Sequence, residues 1–307
     1  MRFVTFCREG AAYLGAAIGG DVLDLPGAGA ALDIAGWPPD LDLGAFLGMG
    51  ESALDKARQT IAAVEEEVRR GDGERLASRG LLFSRDAVKL LAPVPNPSKI
   101  IAIGLNYRDH AREQGVPIPD RPIIFAKFPT SVIGPGDTIA WDPALTQQVD
   151  YEAELAFVIG KTARNVAEKD AITYVAGYTC ANDVSARDLQ FGDRQWVRGK
   201  SLDTFCPLGP LLVTADEIPD PQNLAVRAIL NNQVMQDSST AEMIFGVAEL
   251  VAFISRAFTL LPGDVVLTGT PHGVGVFRDP PLFLKDGDRV VVEIERIGCL
   301  ENDCRTL

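Results

Sequence analysis

A mixed α/β fold rich in strands, with a small α+β unit at the amino terminus, is predicted by three observations. Short β-branched and aromatic runs recur through the second two thirds of the chain, and turn residues punctuate them. A single proline-dense connector divides them from a first segment that holds a clear amphipathic helix. In order, residues 1–92 begin with strand-like pieces at 2–6, 11–18 and 22–25, followed by a loop rich in Gly, Ala and Pro. The helix comes next: Leu54, Ala57, Ile61, Val64 and Val68 recur at spacings of three and four, and Gly71 ends the pattern. Residues 93–98, Pro93-Val94-Pro95-Asn96-Pro97-Ser98, combine fixed φ angles with missing donors and read as an extended linker. Within residues 99–307, strands are predicted at 99–103, 123–128, 152–159, 174–180, 211–214, 225–230, 264–268 and 289–294, with helices at 107–114 and 241–258. Pro135-Gly136-Asp137, Asn231-Asn232, Pro262-Gly263-Asp264 and Asp286-Gly287-Asp288 supply the turns, and the sheet is expected to be mixed and to close on itself.

Composition narrows the function. Acidic residues outnumber basic ones by 42 to 29 for a net charge of −13, which argues against a nucleic-acid surface, where clustered Lys and Arg drive binding. No apolar run approaches a membrane span and the amino terminus lacks a signal-peptide core, so a cytoplasmic protein is expected. Five cysteines without a Cys-x-x-Cys pair suit free thiols, and two histidines, His110 and His272, are too few for a histidine-built metal centre. Any metal must be held mainly by oxygen.

Glu152 and Glu154 stand two apart in an otherwise apolar stretch. Strand alternation puts Tyr151, Ala153, Leu155, Phe157 and Ile159 on one face and Glu152, Glu154, Ala156 and Val158 on the other, so both carboxylates point the same way. Two readings stand: a partly buried pair that recruits a hard divalent cation, or the solvated face of an edge strand. Asp183 follows an apolar strand directly and is either a third oxygen ligand or a cap for the next helix. Arg187, Arg194, Arg198 and Lys200 form a local basic excess that would attract an anionic substrate or pair with Asp188, Asp193 and Asp203 on the surface. Gly199-Lys200-Ser201 imitates the end of a phosphate loop, but Arg194 stands where that motif requires glycine. His110 and Glu113 are three apart on a short helix, either as a general-base dyad or as an exposed pair. The loop Thr268-Gly269-Thr270-Pro271-His272-Gly273-Val274-Gly275 can bring backbone donors or the Thr270 hydroxyl close to a ligand.

The order of these motifs is more specific than any one of them. Asn106-Tyr107-x-x-His110-x-x-Glu113, Tyr151-Glu152-x-Glu154-Leu155, Asn182-Asp183-x-Ser185-x-Arg187-Asp188, Gly199-Lys200-x-x-Asp203 and Thr268-Gly269-Thr270-Pro271-x-Gly273-Val274-Gly275 together resemble the fumarylacetoacetate hydrolase family over about residues 93 to 304. Through Pro122-Ile123-Ile124-Phe125-Ala126-Lys127-Phe128, the resemblance is strongest to its domain-containing type. It implies a mixed β-sandwich roll behind the small amino-terminal domain, a homodimer, and a Mg²⁺ or Mn²⁺ site, with Ca²⁺ as a substitute, on Glu152, Glu154 and Asp183. It implies Lys200, His110 and Glu113 as catalytic residues and Arg187, Gln190 and Thr270 as substrate-binding ones. His272 is given no role. The first expectation is hydrolytic C–C cleavage of an acylpyruvate through a metal-stabilised enolate of a small anionic 2-oxo acid. The alternative is an oxaloacetate decarboxylase or keto–enol tautomerase, with a noncatalytic dicarboxylate-binding protein behind both.

Overall fold

Residues 153–159 carry an apolar side chain on nearly every position of both strand faces, and such a strand is stable only if both faces are covered. In the computed structural model, which describes residues 1–307, Ala153–Ile159 is buried along its whole length. Tyr151, Ala153, Leu155, Phe157 and Ile159 enter one apolar core, while Ala156 and Val158 enter another, as alternation requires. The strand is central, antiparallel to Val175–Asn182 on one side and Val265–Leu267 on the other. The solvated-edge reading of Glu152 and Glu154 is therefore excluded.

The sheet that contains it runs Leu82–Ser84, Asp21–Asp24, Ala11–Ile18, Arg2–Arg8, Cys206–Thr214, Val175–Asn182, Ala153–Ile159, Val265–Leu267, Ile100–Gly104, Ile123–Lys127. It is mixed, since Val265–Leu267 lies parallel to Ile100–Gly104 among antiparallel neighbours. It does not close on itself: its path ends at Leu82–Ser84 and at Ile123–Lys127. The turn signals behind that expectation show where the chain reverses but not which strands meet.

The proline-dense connector does not interrupt the sheet, because Arg2–Arg8 pairs with Cys206–Thr214. The helix Glu51–Arg69 and its neighbours supply Phe46, Ala57 and Val64 to the core that covers Ala156 and Val158. Thus the first segment is one cover of the strand that carries the glutamates. The other cover is a five-stranded sheet, ordered Gln233–Ser239, Ala225–Leu230, Arg289–Ile294, Gly298–Thr306, Ile139–Trp141, whose Val226, Val290 and Val292 share a core with Leu155 and Phe157.

Three elements differ from the sequence expectation for identifiable reasons. The helix predicted over 241–258 spans only Val247–Ala257, because Asn106 holds the preceding residues extended: its Oδ1 accepts from Phe245 N at 2.9 Å and its carbonyl from Ile244 N at 2.7 Å. Gln233–Ser239 and Gly298–Thr306 escaped notice because polar residues such as Gln233, Glu301 and Asp303 fill their outward positions and dilute the apolar signal.

Candidate active site

Pairing of Ala153 with Asn182 brings the entrance of one strand beside the exit of its neighbour. Glu152 N donates to Asn182 Oδ1 at 3.0 Å and Asp183 N to the Glu152 carbonyl at 2.9 Å, so Glu152, Glu154 and Asp183 converge. One carboxylate oxygen from each lies within 4.8 Å of the others, and all three residues are buried. Asp183 does not cap the next helix: its Oδ2 accepts from Lys200 Nζ and its Oδ1 from Lys127 Nζ, at 2.7 and 2.6 Å. Lys200 Nζ also donates to Glu152 Oε2 at 2.7 Å.

Of the basic cluster, only Arg187 and Lys200 face this site. Arg187 Nε donates to Asp150 Oδ2 at 2.9 Å, and its Nη1 lies 2.7 Å from Glu152 Oε1 and 3.0 Å from Gln190 Oε1. Arg198 pairs on the surface with Asp193 at 2.6 Å, the surface pairing that the sequence offered as the alternative. Two residues without an expected role complete the floor. Lys127 is fully buried and also donates to the carbonyls of Val184 and Lys200. Asp150 accepts from Tyr151 N, Gly275 N and Val276 N at 2.8 to 3.0 Å, which fixes both Arg187 and the glycine-dense loop. The sequence signal for Lys127 and Asp150 was a charge inside an apolar or strand-like run.

The carboxylates differ sharply in their surroundings. Burial pushes the Glu152 carboxyl up, but Lys200 and Arg187 outweigh it and bring its pKa down to about 2. Lys200 feels burial in the opposite sense, yet Asp183 and Glu152 hold its pKa above the usual lysine value, so it stays protonated. Glu154 has no cationic side chain within ion-pair distance; it accepts only from Gly269 N, at 2.7 Å. Burial, with the charges of Asp183 and Glu152 added, raises it well above the usual carboxylate range. A buried oxygen-donor triad with one member short of positive charge is a setting that a divalent cation fits.

In the loop from Thr268 to Gly275, the amides of Gly269, Gly273 and Gly275 donate to protein carboxylates. Gly269 adopts φ +95°, and a Cβ there would come within 2.8 Å of Asn106 Cβ, so glycine alone lets this amide reach Glu154. Gly273, at φ +98°, donates to Glu113 Oε1 at 2.7 Å. Thr270 Oγ1 donates to the Ala153 carbonyl at 3.0 Å and accepts from Gln236 Nε2 at 2.8 Å.

The helix Arg108–Gln114 carries His110 and Glu113 as a bonded pair, Nδ1 to Oε2 at 2.7 Å, with His110 buried. With Nδ1–H given to the carboxylate, Nε2 keeps its lone pair, and the Gln114 amide donates to it at 2.7 Å. The exposed-pair reading does not hold. His272 has a carboxylate of its own: its Nδ1 lies 2.9 Å from Asp109 Oδ2, which also accepts from Ser238 Oγ at 2.5 Å. A cavity of about 640 Å³ joins these parts, lined by Glu152, Glu154, Lys200 and Arg187 together with His110, Gln190 and Thr270. Glu113 and Asp183 stand behind that wall rather than in it.

The fold and this constellation define a class. Residues 99–305 match the family described as fumarylacetoacetate (FAA) hydrolase C-terminal, and the chain belongs to that family. It is an enzyme. Among its relatives is a Xenopus laevis protein named oxaloacetate tautomerase fahd2, mitochondrial, 49% identical over 284 residues that cover 91% of this chain and 84% of the relative. Solved structures agree. The fumarylacetoacetate hydrolase of Exiguobacterium antarcticum superposes with a TM-score of 0.78 at 36% identity, and maleylpyruvate hydrolase of Sphingobium with 0.75 at 32%, each over the whole of both chains.

Proposed function

We propose that this protein is a divalent-metal-dependent enzyme that interconverts the keto and enol forms of a 2-oxo acid, with oxaloacetate as substrate. The carrying observation is that one cavity is lined by both a protonated donor, Lys200, and a histidine oriented as a base, His110, beside a buried oxygen-donor triad. The tautomerase name of the Xenopus relative supports this reaction ahead of acylpyruvate cleavage.

Mg²⁺ or Mn²⁺, with Ca²⁺ as a substitute, suits Glu152, Glu154 and Asp183, and would polarise the keto oxygen of a chelating 2-oxo acid. Enolisation then needs one proton taken from the carbon beside the carbonyl and one delivered to its oxygen. Lys200 delivers the second, because Glu152 and Asp183 hold it charged and aim it. His110 takes the first at Nε2; Glu113 fixes the tautomer through Nδ1, and the substrate displaces the Gln114 amide from the lone pair. Gln190 gives its carbonyl to Arg187, which leaves its amide nitrogen to donate to substrate oxygen. Arg187 and Thr270 shape the same wall.

Hydrolysis is the second reading, favoured by the likeness to maleylpyruvate hydrolase: His110 would take its proton from water, which attacks the distal carbonyl of an acylpyruvate. Decarboxylation of oxaloacetate would use the floor without His110. Assaying the purified protein with Mg²⁺ and oxaloacetate separates them. Faster loss of enol absorbance without pyruvate is expected; pyruvate formed in step with it would favour decarboxylation, and no acceleration would remove enolisation. The same proposal includes a homodimer and a catalytic part at 99–307 covered by 1–92, the former resting on family resemblance. It also includes a reducing compartment, which five free cysteines suit: the cytoplasm, or the mitochondrion that the relative's name gives.

A further inference from the structure

We propose that the enzyme also enolises 2-oxo acids with a single carboxylate and an apolar or aromatic tail, the tail lying in a part of the cavity that a four-carbon diacid leaves empty. This rests on the enolising site proposed above. The cavity, at about 640 Å³, falls in the range that encloses drug-sized ligands, far more than oxaloacetate fills.

Its charge pattern is one-sided. The cations in its wall are Arg187 and Lys200, and both are committed, Arg187 to Asp150 and Glu152, Lys200 to Glu152 and Asp183. Apart from these cations and the glutamates Glu152 and Glu154, the charged side chain of the wall is Asp120, an anion that disfavours a second carboxylate. Away from His110, Gln114, Gln190 and Thr270, the wall has an apolar part that is built. Phe125 and Trp196 meet edge to face at 5.3 Å and 72°, and a Cβ on Gly104 would sit 2.5 Å from the indole, so the glycine is what lets Trp196 lie there. At the mouth stand Val116, Ile118, Ile123, Phe191 and Phe277, with Ile118 51% and Phe191 59% exposed. An exposed apolar cluster continuous with a reaction site is accounted for by a substrate tail that covers it. The chemistry is unchanged: a C–H bond beside the carbonyl breaks, an O–H bond forms on the carbonyl oxygen, and no co-reactant is needed.

Phenylpyruvate is the probe. The Mg²⁺-loaded protein is expected to accelerate its keto–enol exchange and to show saturable quenching of tryptophan emission that Trp196→Phe abolishes. Ile118→Arg places a cation at the half-exposed mouth, where it threatens no packing. It is expected to lower kcat/KM for phenylpyruvate and raise it for oxaloacetate, changing their ratio by roughly tenfold. Turnover of oxaloacetate without turnover or binding of phenylpyruvate would overturn the inference and leave the enolising site standing, as would an Ile118→Arg variant that shifts both substrates alike. Turnover of neither would remove both.

Discussion

The floor of the cavity and the helix above it each pair a base with an acid, but they are held in opposite ways. On the floor, Lys200 is clasped by Glu152 and Asp183, and those carboxylates stand at the ends of strands covered on both faces. His110 and Glu113 ride on a seven-residue helix fastened by side-chain bonds: Glu113 to Gly273 N, Asp109 to Ser238 and His272, Arg108 to the Met243 carbonyl and Arg112 to Glu242. In the proposed reaction, the charge that stays fixed is therefore built into the sheet, and the group that would meet the substrate proton is built onto a short element. His272 shows that the pairing alone is not enough: it too has a carboxylate, but it is 48% exposed and outside the cavity wall.

That contrast can be broken experimentally. Lys200→Met should cost on the order of 10³-fold in kcat/KM while metal affinity is kept or raised, since the cation then carries the charge Lys200 balanced. Retained activity would mean the floor needs no proton donor. His110→Ala should cost about 100-fold in kcat and leave metal binding unchanged; unaltered turnover would remove His110 from the mechanism. Smallest is Asp109→Asn, which keeps an acceptor for His110 N but weakens the hold on His272. A loss of roughly two- to fivefold in kcat/KM is expected. A loss equal to that of His110→Ala would show that the helix depends on this one clamp as much as on its base.

Much of the floor was legible in the sequence because strand alternation is a strict rule: two glutamates two apart must share a face, while the choice between a buried and a solvated face waited for the neighbouring strands. The helix dyad was legible for the same reason at helical spacing. What escaped was long-range. Asp150 and Arg187 are 37 residues apart, Asp109 and His272 are 163 apart, and no local pattern links them. Lys127 lies within the strand predicted at 123–128, and only the fold brings Asp183 to it. The sheet's free ends were likewise hidden, because turns reveal reversals and not partners. The amino-terminal segment read as separate by its connector, while the core it shares with Ala156 and Val158 appears only in three dimensions.

The central claim is that the glutamates hold a divalent cation, and Glu154 tests it most directly, as the one member of the triad with no ion pair. Glu154→Gln preserves volume and an acceptor for Gly269 N. Calorimetric titration of Mn²⁺ into both proteins should show a single saturable site in the wild type and none in Glu154→Gln, with unchanged circular dichroism. Equal affinity in the variant, or full wild-type activity after chelation, would contradict the account.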